Sequence, residues 1–587
     1  MKLRKLLYII PLMVLSSSCE DFLKEDPKGR LDESYLRTEG GMEQLAIAMY
    51  GNAHNLVTPI LNLVDGGTDE VTFSTGSSAE TATRYQTDKM LTFGSLEDAW
   101  QFIYKQINDC NFGLAAAQEV DFATESKKEK VIGELSFFRA WLYWTAVEFW
   151  GEGAHYSDTP TEGVITEGYQ TTIDVFYKLI MDDLDNAIEM LPVTSKKVGE
   201  VNSGVAKAMK ARALMSLAQY TEDVISATGH YSNKTAVYTA AKALADELIS
   251  PASGYKLLNN FADIFTIQNE NNEEIIWALQ MTTDATYRYS KNIMAKEFTA
   301  YPIYSLREKK SLASGYGLYE HSAWYGRSQC SYMPTYYYAT LFDVNDKRCD
   351  GTFETVYQKL WNPATLDWGD MGVPVKDGQP TDTVAYRPMR VVDAAEAAAY
   401  KARGIYCDGL NMIYTGTDNA PGGNRSSNQR KYANTITKFL DRTRLAPKQD
   451  NGGTDIILFR LAEQYLIAAE CAYFLTGGNA AKVYIDNLRE RARLTPGSLV
   501  VAAGDINIDY ILDERTRELG AELIRWFDLK RTGRWSRIKT YNPDATFFDA
   551  AVHSLKPIPN DELERIENYP AIFKQNPNYP SRNNEGV

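Results

Sequence analysis

The sequence predicts a mainly α-helical protein in which helices from both ends of the chain form one scaffold and present a loop-rich middle. Three observations predict it. Apolar residues recur at steps of three and four from about residue 40 to 250, and again from 455 to 535. The stretch GELSFFRAWLYWTAVEFWG (133–151) is apolar nearly all round, as a fully buried helix is. Between 255 and 450 the pattern lapses, and Gly, Asn, Asp, Pro and Tyr dominate, as in NAPGGNRSSNQRKY (419–432). An insert of that length without regular structure usually carries function.

The chain opens with MKLRK, a ten-residue apolar run LLYIIPLMVL (6–15) and the small residues Ser16 to Ser18. This is the three-part layout of a secretory signal. The run is too short to span a bilayer as a helix, which takes about 20 residues. Its small residues lead straight into Cys19, which resembles the bacterial lipoprotein signal, whose cysteine becomes the lipidated first residue. Such signals usually carry leucine where Ser16 stands, and here Leu15 is one step further away. Glu20 and Asp21 resemble the surface-export mark of Bacteroidetes lipoproteins. Cys19 is therefore expected to be the membrane tether.

Trp100, Ile103, Tyr104, Ile107 and Leu114 then fall on one helical face, and Ser95 is expected to cap that helix. Helical segments follow at 172–191, 203–221 and 234–250, the last stopped by Ser250-Pro251. EEIIWALQM (273–281) reads as a lone strand. RLAEQYLIAAECAYFLTGGNAAKVYIDNLRERARL gives two apolar helices parted at Thr476-Gly477-Gly478-Asn479. From Leu461 to Leu494 this hairpin is 34 residues long, the length of one tetratricopeptide (TPR) repeat. Small residues at Ala468, Ala469, Ala480 and Ala481 allow close helix packing, and 203–250 resembles a degenerate second copy. The expected fold class is thus mainly α, with TPR-like helical repeats (an α-α superhelix) and a partly irregular ligand-presenting region. The expected division is a signal peptide (1–18), an N-terminal helical region (19–254), an irregular aromatic-rich region (255–450) and a C-terminal helical region (451–587). The last completes the same globular unit.

Composition narrows the function. There are 62 basic and 77 acidic residues, a formal charge of −15, and loss of Lys2, Arg4 and Lys5 with the signal makes the chain more acidic still. That disfavours a nucleic-acid partner, whose phosphates need a basic footprint, and favours an uncharged ligand. Cys19 aside, five cysteines remain, so at least one is unpaired within the chain. Cys110 and Cys471 fall in helical patterns and are expected as small core residues. The pairing of Cys330, Cys349 and Cys407 stays open, a Cys330–Cys349 bridge being one option. No phosphate-binding G-x-x-x-x-G-K-[ST], G-x-S-x-G or H-E-x-x-H is present. His54, His155, His230, His321 and His553 are scattered, and DVNDKRCD (343–350) lacks the glycine and terminal glutamate of a calcium loop. No cofactor or metal is expected. Glu514 and Glu518, one helical turn apart, form the carboxylate pair closest to a glycosidase arrangement. They share their helical stretch with Arg515, Arg517 and Arg525, so ion pairing is the expected role, and the protein is expected not to be an enzyme.

Of the 37 tyrosines and 10 tryptophans, many crowd into TYRYSKN, AYPIYS, GYGLYEHSAWYGRSQ and PTYYYATLF between 286 and 342. A sugar has apolar C–H faces ringed by hydroxyls, so its site wants flat aromatic platforms beside polar groups. Trp324 and Tyr325, followed by Arg327, combine both, and Tyr287, Tyr289, Tyr316 and Tyr319 are further candidate contacts. Tyr336 to Tyr338 are expected to pack within a framework helix. A second candidate is the polar stretch DGGTDEVTFSTGSSAETATRYQTD (65–88), read as a long loop offering Asp69, Arg84 and Tyr85.

Several phrases occur together in one order: DFLKEDP after Cys19, WQFIYKQINDCN (100–111), GELSFFRAWLYWTAVEFWG, YYYATLFDVNDKR (336–348), FRLAEQYLIAAE (459–470), NLRERARL (487–494) and ERTRELGAELIRWFDLKRTGRW (514–535). The set resembles the SusD/RagB family of outer-membrane nutrient-binding lipoproteins, from Cys19 nearly to the C-terminus. One departure is GEGAHYSDTP (151–160), where the family often shows a Gly-Asp-x-Pro turn. The resemblance implies four TPR-like units wrapped by loops, with ligand contacts often drawn from the loop between the early helices. It also implies a lipid anchor in the outer membrane facing the exterior, an oligosaccharide ligand, and a SusC-like TonB-dependent transporter as partner. The expected function is capture of glycan at the cell surface and its delivery to that transporter. The alternatives are a peptide- or protein-capturing lid of the same kind of transporter, or a TPR-like structural lipoprotein without a ligand.

Overall fold

The computed structural model describes residues 33–284, 286, 292–299, 321–322, 324–327, 329–355, 357–360, 372–373, 380–386, 395, 402, 434–444 and 452–580, apart from 162, 164 and 196. The signal segment, Cys19, Tyr287, Tyr289, Tyr316, Tyr319 and Cys407 lie outside the described residues.

Ten helices carry the scaffold: α1 (Glu39–Ala53), α2 (Gly94–Ala116), α3 (Glu125–Trp150), α4 (Ile173–Met190), α5 (Ser203–Leu217), α6 (Lys234–Ile249), α7 (Leu461–Thr476), α8 (Gly478–Ala492), α9 (Ile508–Leu519) and α10 (Arg525–Thr532). Asn202, Asn233 and Asn507 cap α5, α6 and α9, each accepting a backbone N–H with its side-chain oxygen. From α2 to α8 each helix packs on the next, and α6 meets α7 directly although some 200 residues of sequence intervene. The helical hairpin α7–α8 thus continues a superhelix begun in the N-terminal half, as TPR-like stacks do. α3 is its axle: from Val131 to Trp150 every residue except Arg139 is buried, and Arg139 pairs with Asp183 of α4 at 2.7 Å.

Two local expectations change, and one open question closes. Ser95 is not a cap, for α2 starts one residue earlier and the buried Ser95 hydroxyl accepts a 2.7 Å hydrogen bond from Asn62. The strand Ile275–Leu279 is not alone: it pairs antiparallel with Ile456–Arg460, residues that the apolar run had placed in a helix. A short apolar run does not distinguish strand from buried helix, and here the extended backbone persists until α7 begins at Leu461. Cys330 and Cys349 are not bridged: the buried Cys330 thiol donates to the Tyr332 carbonyl oxygen at 3.6 Å. Cys110 and Cys471 are buried in the core.

The middle of the chain is fixed to α9 by charge. Arg348 is fully buried and donates to Glu514 (2.9 Å), Glu518 (3.0 Å) and Asp346 (2.7 Å). Arg460 donates to Glu518 at 2.8 Å, to Glu274 at 3.0 Å and to Glu522 at 2.7 Å. Arg491 joins Glu274 and Glu518, and the Lys438 ammonium donates to Glu522 and to the carbonyl oxygens of Glu518 and Gly520. Burial pushes the Glu518 carboxyl up, but Arg491, Arg460 and Arg348 outweigh it and hold it down at about 2. That lies below the unfolded value of about 4.3. The stability this carboxylate contributes is therefore complete above that value and is lost as pH falls through about 2.

Replacing Glu518 by Gln leaves three buried guanidinium groups short of a counter-charge. Denaturant unfolding at pH 7 is expected to show a loss of about 3–5 kcal/mol; a loss below about 1 kcal/mol would mean that Glu518 is not needed to balance these buried charges.

Candidate functional site

Trp324 and Tyr325 stand in a tight turn between His321–Ser322 and Gly326–Arg327, two short antiparallel strands in which Ser322 faces Gly326. Gly326 has φ +94°, and a Cβ there would lie 2.9 Å from the Arg444 guanidinium, so both backbone and space require glycine. The turn leaves Trp324 half-buried and Tyr325 buried. One guanidinium covers both rings: Arg442 Cζ is 5.2 Å from the Trp324 ring centroid and 5.9 Å from that of Tyr325. Arg442 is held by Glu354 at 2.5 Å. It also lines a 160 Å3 cleft whose walls include Phe265, Ile267 and Leu440 on the apolar side and Asp350 and Thr437 on the polar side.

The loops that build this cleft are joined to each other. The Glu354 N–H donates to the Thr435 carbonyl at 3.0 Å, and Phe353 and Ile436 form a β-bridge. Each is pinned on the α9 region by a cation of the buried network, Arg348 on one side and Lys438 on the other. The result is an aromatic turn beside a cleft with mixed apolar and hydrogen-bonding walls.

The second sequence candidate is corrected. Residues 61–74 are buried throughout, and 65–88 contains the strand Val71–Phe73 and the helix Ser77–Arg84 rather than a long exposed loop. Asp69 has no exposed surface, and its carboxylate is taken by Arg525 at 2.6 Å and Arg537 at 2.9 Å. Tyr85 is buried edge-on against Phe548, with centroids 4.9 Å apart. Asp69 and Tyr85 are core residues with nothing to offer a ligand. Arg84 pairs with Glu80 at 2.7 Å and lies 5.1 Å over the Phe73 ring. Its neighbourhood does reach the aromatic segment: Val71–Phe73 pairs with Tyr332–Pro334, and the Thr75 hydroxyl donates to the Gln329 and Cys330 carbonyls. Arg327 is half-buried on the second strand of the turn.

Arg442, Glu354 and Asp350 were missed by sequence reasoning, since each stands in a stretch without periodicity. The one available signal was a pair of arginines, Arg442 and Arg444, in an otherwise irregular segment. Glu514 and Glu518 are fully buried, and Arg348, Arg489 and Arg517 hold Glu514 well below the usual carboxylate range against the opposing push of burial. A glycosidase acid needs the opposite shift. A larger cavity of 420 Å3 against α1 contains none of the sequence-predicted residues.

Comparison with known proteins gives a consistent result. Residues 273–579 match the model of the SusD family, and residues 21–218 match one described as "Starch-binding associating with outer membrane". A SusD-like protein of Formosa agariphila is 23% identical over 560 residues, covering 91% of this chain and 90% of the relative. The starch-binding protein SusD of Bacteroides thetaiotaomicron is 26% identical over 452 residues, 74% of this chain and 69% of that one. Among solved structures, a laminarin-binding SusD-like protein superposes with TM-score 0.64 at 19% identity, over 92% of this chain and 99% of that one. NanU of B. fragilis gives TM-score 0.62 at 17% identity, over 95% and 100%.

The turn makes its own prediction. Gly326→Ala forces a side chain into a positive-φ position and against Arg444, and is expected to cost about 1–3 kcal/mol in denaturant unfolding. A change under about 0.5 kcal/mol would show that the turn is not held in this conformation.

Proposed function

Because the chain belongs to the SusD family, we propose that it is a glycan-binding lipoprotein of the outer membrane, tethered through Cys19 and facing the cell exterior. It captures oligosaccharide and passes it to a SusC-like TonB-dependent transporter, without catalysing a reaction on it. The observation that carries the reading is the half-exposed ring of Trp324, set by Arg442 beside a cleft with both apolar and hydrogen-bonding walls. A sugar ring stacks on the aromatic face while its hydroxyls meet the polar wall. Two structural neighbours support the same reading: one was solved with a xylogluco-oligosaccharide and another with laminarihexaose. Arg327, on the second strand of the turn, would be a further contact, and Arg84, over the Phe73 ring, remains a more distant candidate.

The test is calorimetric binding of the mature chain, begun after Cys19, to a broad glycan panel that includes the organism's growth substrates, with Trp324→Ala in parallel. The expected result is a hit that the variant weakens by at least about tenfold, or 1.4 kcal/mol. A hit that Trp324→Ala leaves intact moves the site elsewhere. Silence across the panel would overturn glycan capture in favour of a peptide ligand or a structural role.

A further inference from the structure

The 420 Å3 cavity against α1 is walled by α1, by α3, by the turn at 197–200 and by the strand Ile275–Leu279. Its main polar groups are already paired. The Tyr50 hydroxyl donates to Glu134 at 2.8 Å, and the Trp277 indole N–H donates to the Gly199 carbonyl oxygen at 2.9 Å. The His54 ring nitrogens face the carbonyl oxygens of Gly51 at 3.0 Å and Gln280 at 2.9 Å. Lys130 pairs with Glu200 at 3.0 Å, and Lys127 with Glu43 at 3.2 Å. What is left unmet is apolar surface. Ile47 is 52% exposed and Val198 59%, both on this cavity, and Val131 and Leu279 line it from the core. Large apolar side chains left open together on one concave surface mark a place that something covers.

A sugar does not match these walls. Trp277 is buried edge-on against Phe137 and Trp141, and Tyr50 stands edge-on to Phe138, so neither ring is free to serve as a platform. The chain itself supplies a better occupant. The described residues begin at Glu33, and the helical turn Glu33–Leu36 lies on the start of α1, where the Tyr35 carbonyl leaves no room for a Cβ on Gly41. Before it stands EDFLKEDPKGRLD (20–32), in which Phe22 and Leu23 are an apolar pair among eight charged residues. A segment that charged has no core of its own in which to bury the pair. Leu23 is ten residues before Glu33 and reaches at most about 35 Å from it. The α1 wall from Glu43 to His54 is about 17 Å long, so the reach covers the cavity.

We propose that this cavity is the dock for the chain's own N-terminal segment, with Phe22 and Leu23 seated against Ile47, Val131 and Val198. The charged neighbours of the pair, Glu20, Asp21, Lys24 and Glu25, then meet a rim that carries both signs, with Lys127, Lys130 and Lys197 set among Glu43 and Glu200. The docking itself needs no lipid; its consequence rests on the tether proposed at Cys19. With the pair seated, Glu20 and Asp21 alone separate the anchor from the body, a span of about 10 Å. The α1–α3 face is then held toward the membrane, instead of the body swinging on the whole segment 20–32. A tether that docks in this way sets which face the protein turns to the membrane.

The mature chain, begun at Glu20, is prepared with Phe22→Cys and Ile47→Cys, and in parallel with Phe22→Cys and Ile572→Cys, an exposed position that is no part of the cavity. Under mild oxidation the first pair is expected to form a disulfide within one chain at least tenfold faster than the second. Equal rates would overturn the docking, and a 22–47 bond formed only between two molecules would make a second copy the occupant instead. A second variant, Phe22→Ser with Leu23→Ser, changes no residue of the scaffold. It is expected to shift the methyl resonances of Ile47, Val131 and Val198, which lose the neighbouring ring; unshifted resonances would overturn the proposal. A glycan of the panel that shifts the same methyls in the mature chain would overturn it in favour of a ligand cavity. Glycan affinity is expected to be equal in the mature chain and the Ser variant, so a failure of glycan capture and a failure of docking are read separately.

Discussion

The carboxylate of Glu518 is the point on which this structure depends. Arg348 of the middle region and Arg460 and Arg491 from the two ends of the α7–α8 hairpin converge on it, and Glu514 and Glu522 extend the same cluster one turn to either side. The reason lies in what the middle region lacks. Its described pieces are short strands, bridges and single helical turns, which leave few backbone ladders to hold them. A buried ion pair has strict geometry, and breaking one leaves an uncompensated charge in a low-dielectric interior. Arg348 and Lys438 therefore anchor two loops that ordinary packing would leave loosely placed. Those are the loops that carry Asp350, Glu354, Arg442 and Arg444. The scaffold fixes α9, α9 fixes the loops, and the loops fix the turn with Trp324.

A second node works the same way on the N-terminal side. Asp69 receives Arg525 and Arg537 from near the other end of the chain, which draws the residues around the strand Val71–Phe73 inward. That strand pairs with Tyr332–Pro334, so the end of the aromatic segment is stitched to the core there, while Ile275–Leu279 and Ile456–Arg460 stitch the two borders of the middle region to one another.

Much of this was legible in the sequence. The helices were, because burial of one face or of a whole helix such as α3 writes itself into the spacing of apolar residues. The strand Ile456–Arg460 was not, because four apolar residues before a helix read as more helix. The stretch DGGTDE misled for a physical reason: acidic residues read as solvated unless their cationic partners are known, and those partners lie some 450 positions away. Trp324 was legible from local chemistry, an aromatic pair followed by polar groups. Arg442 and Arg444 were not, since only the fold brings residues 442–444 against 324–326. Glu514 and Glu518 show the converse. Their spacing resembled a catalytic pair, while the arginines around them in space hold both ionised and enclosed.

The most direct measurement is a crystal structure of the mature chain with the oligosaccharide that binds it best. A sugar ring is expected against the face of Trp324, with hydrogen bonds to the groups of the Arg442 cleft. An ordered ligand seated elsewhere, for instance in the 420 Å3 cavity against α1, with the Trp324 turn empty, would contradict the account.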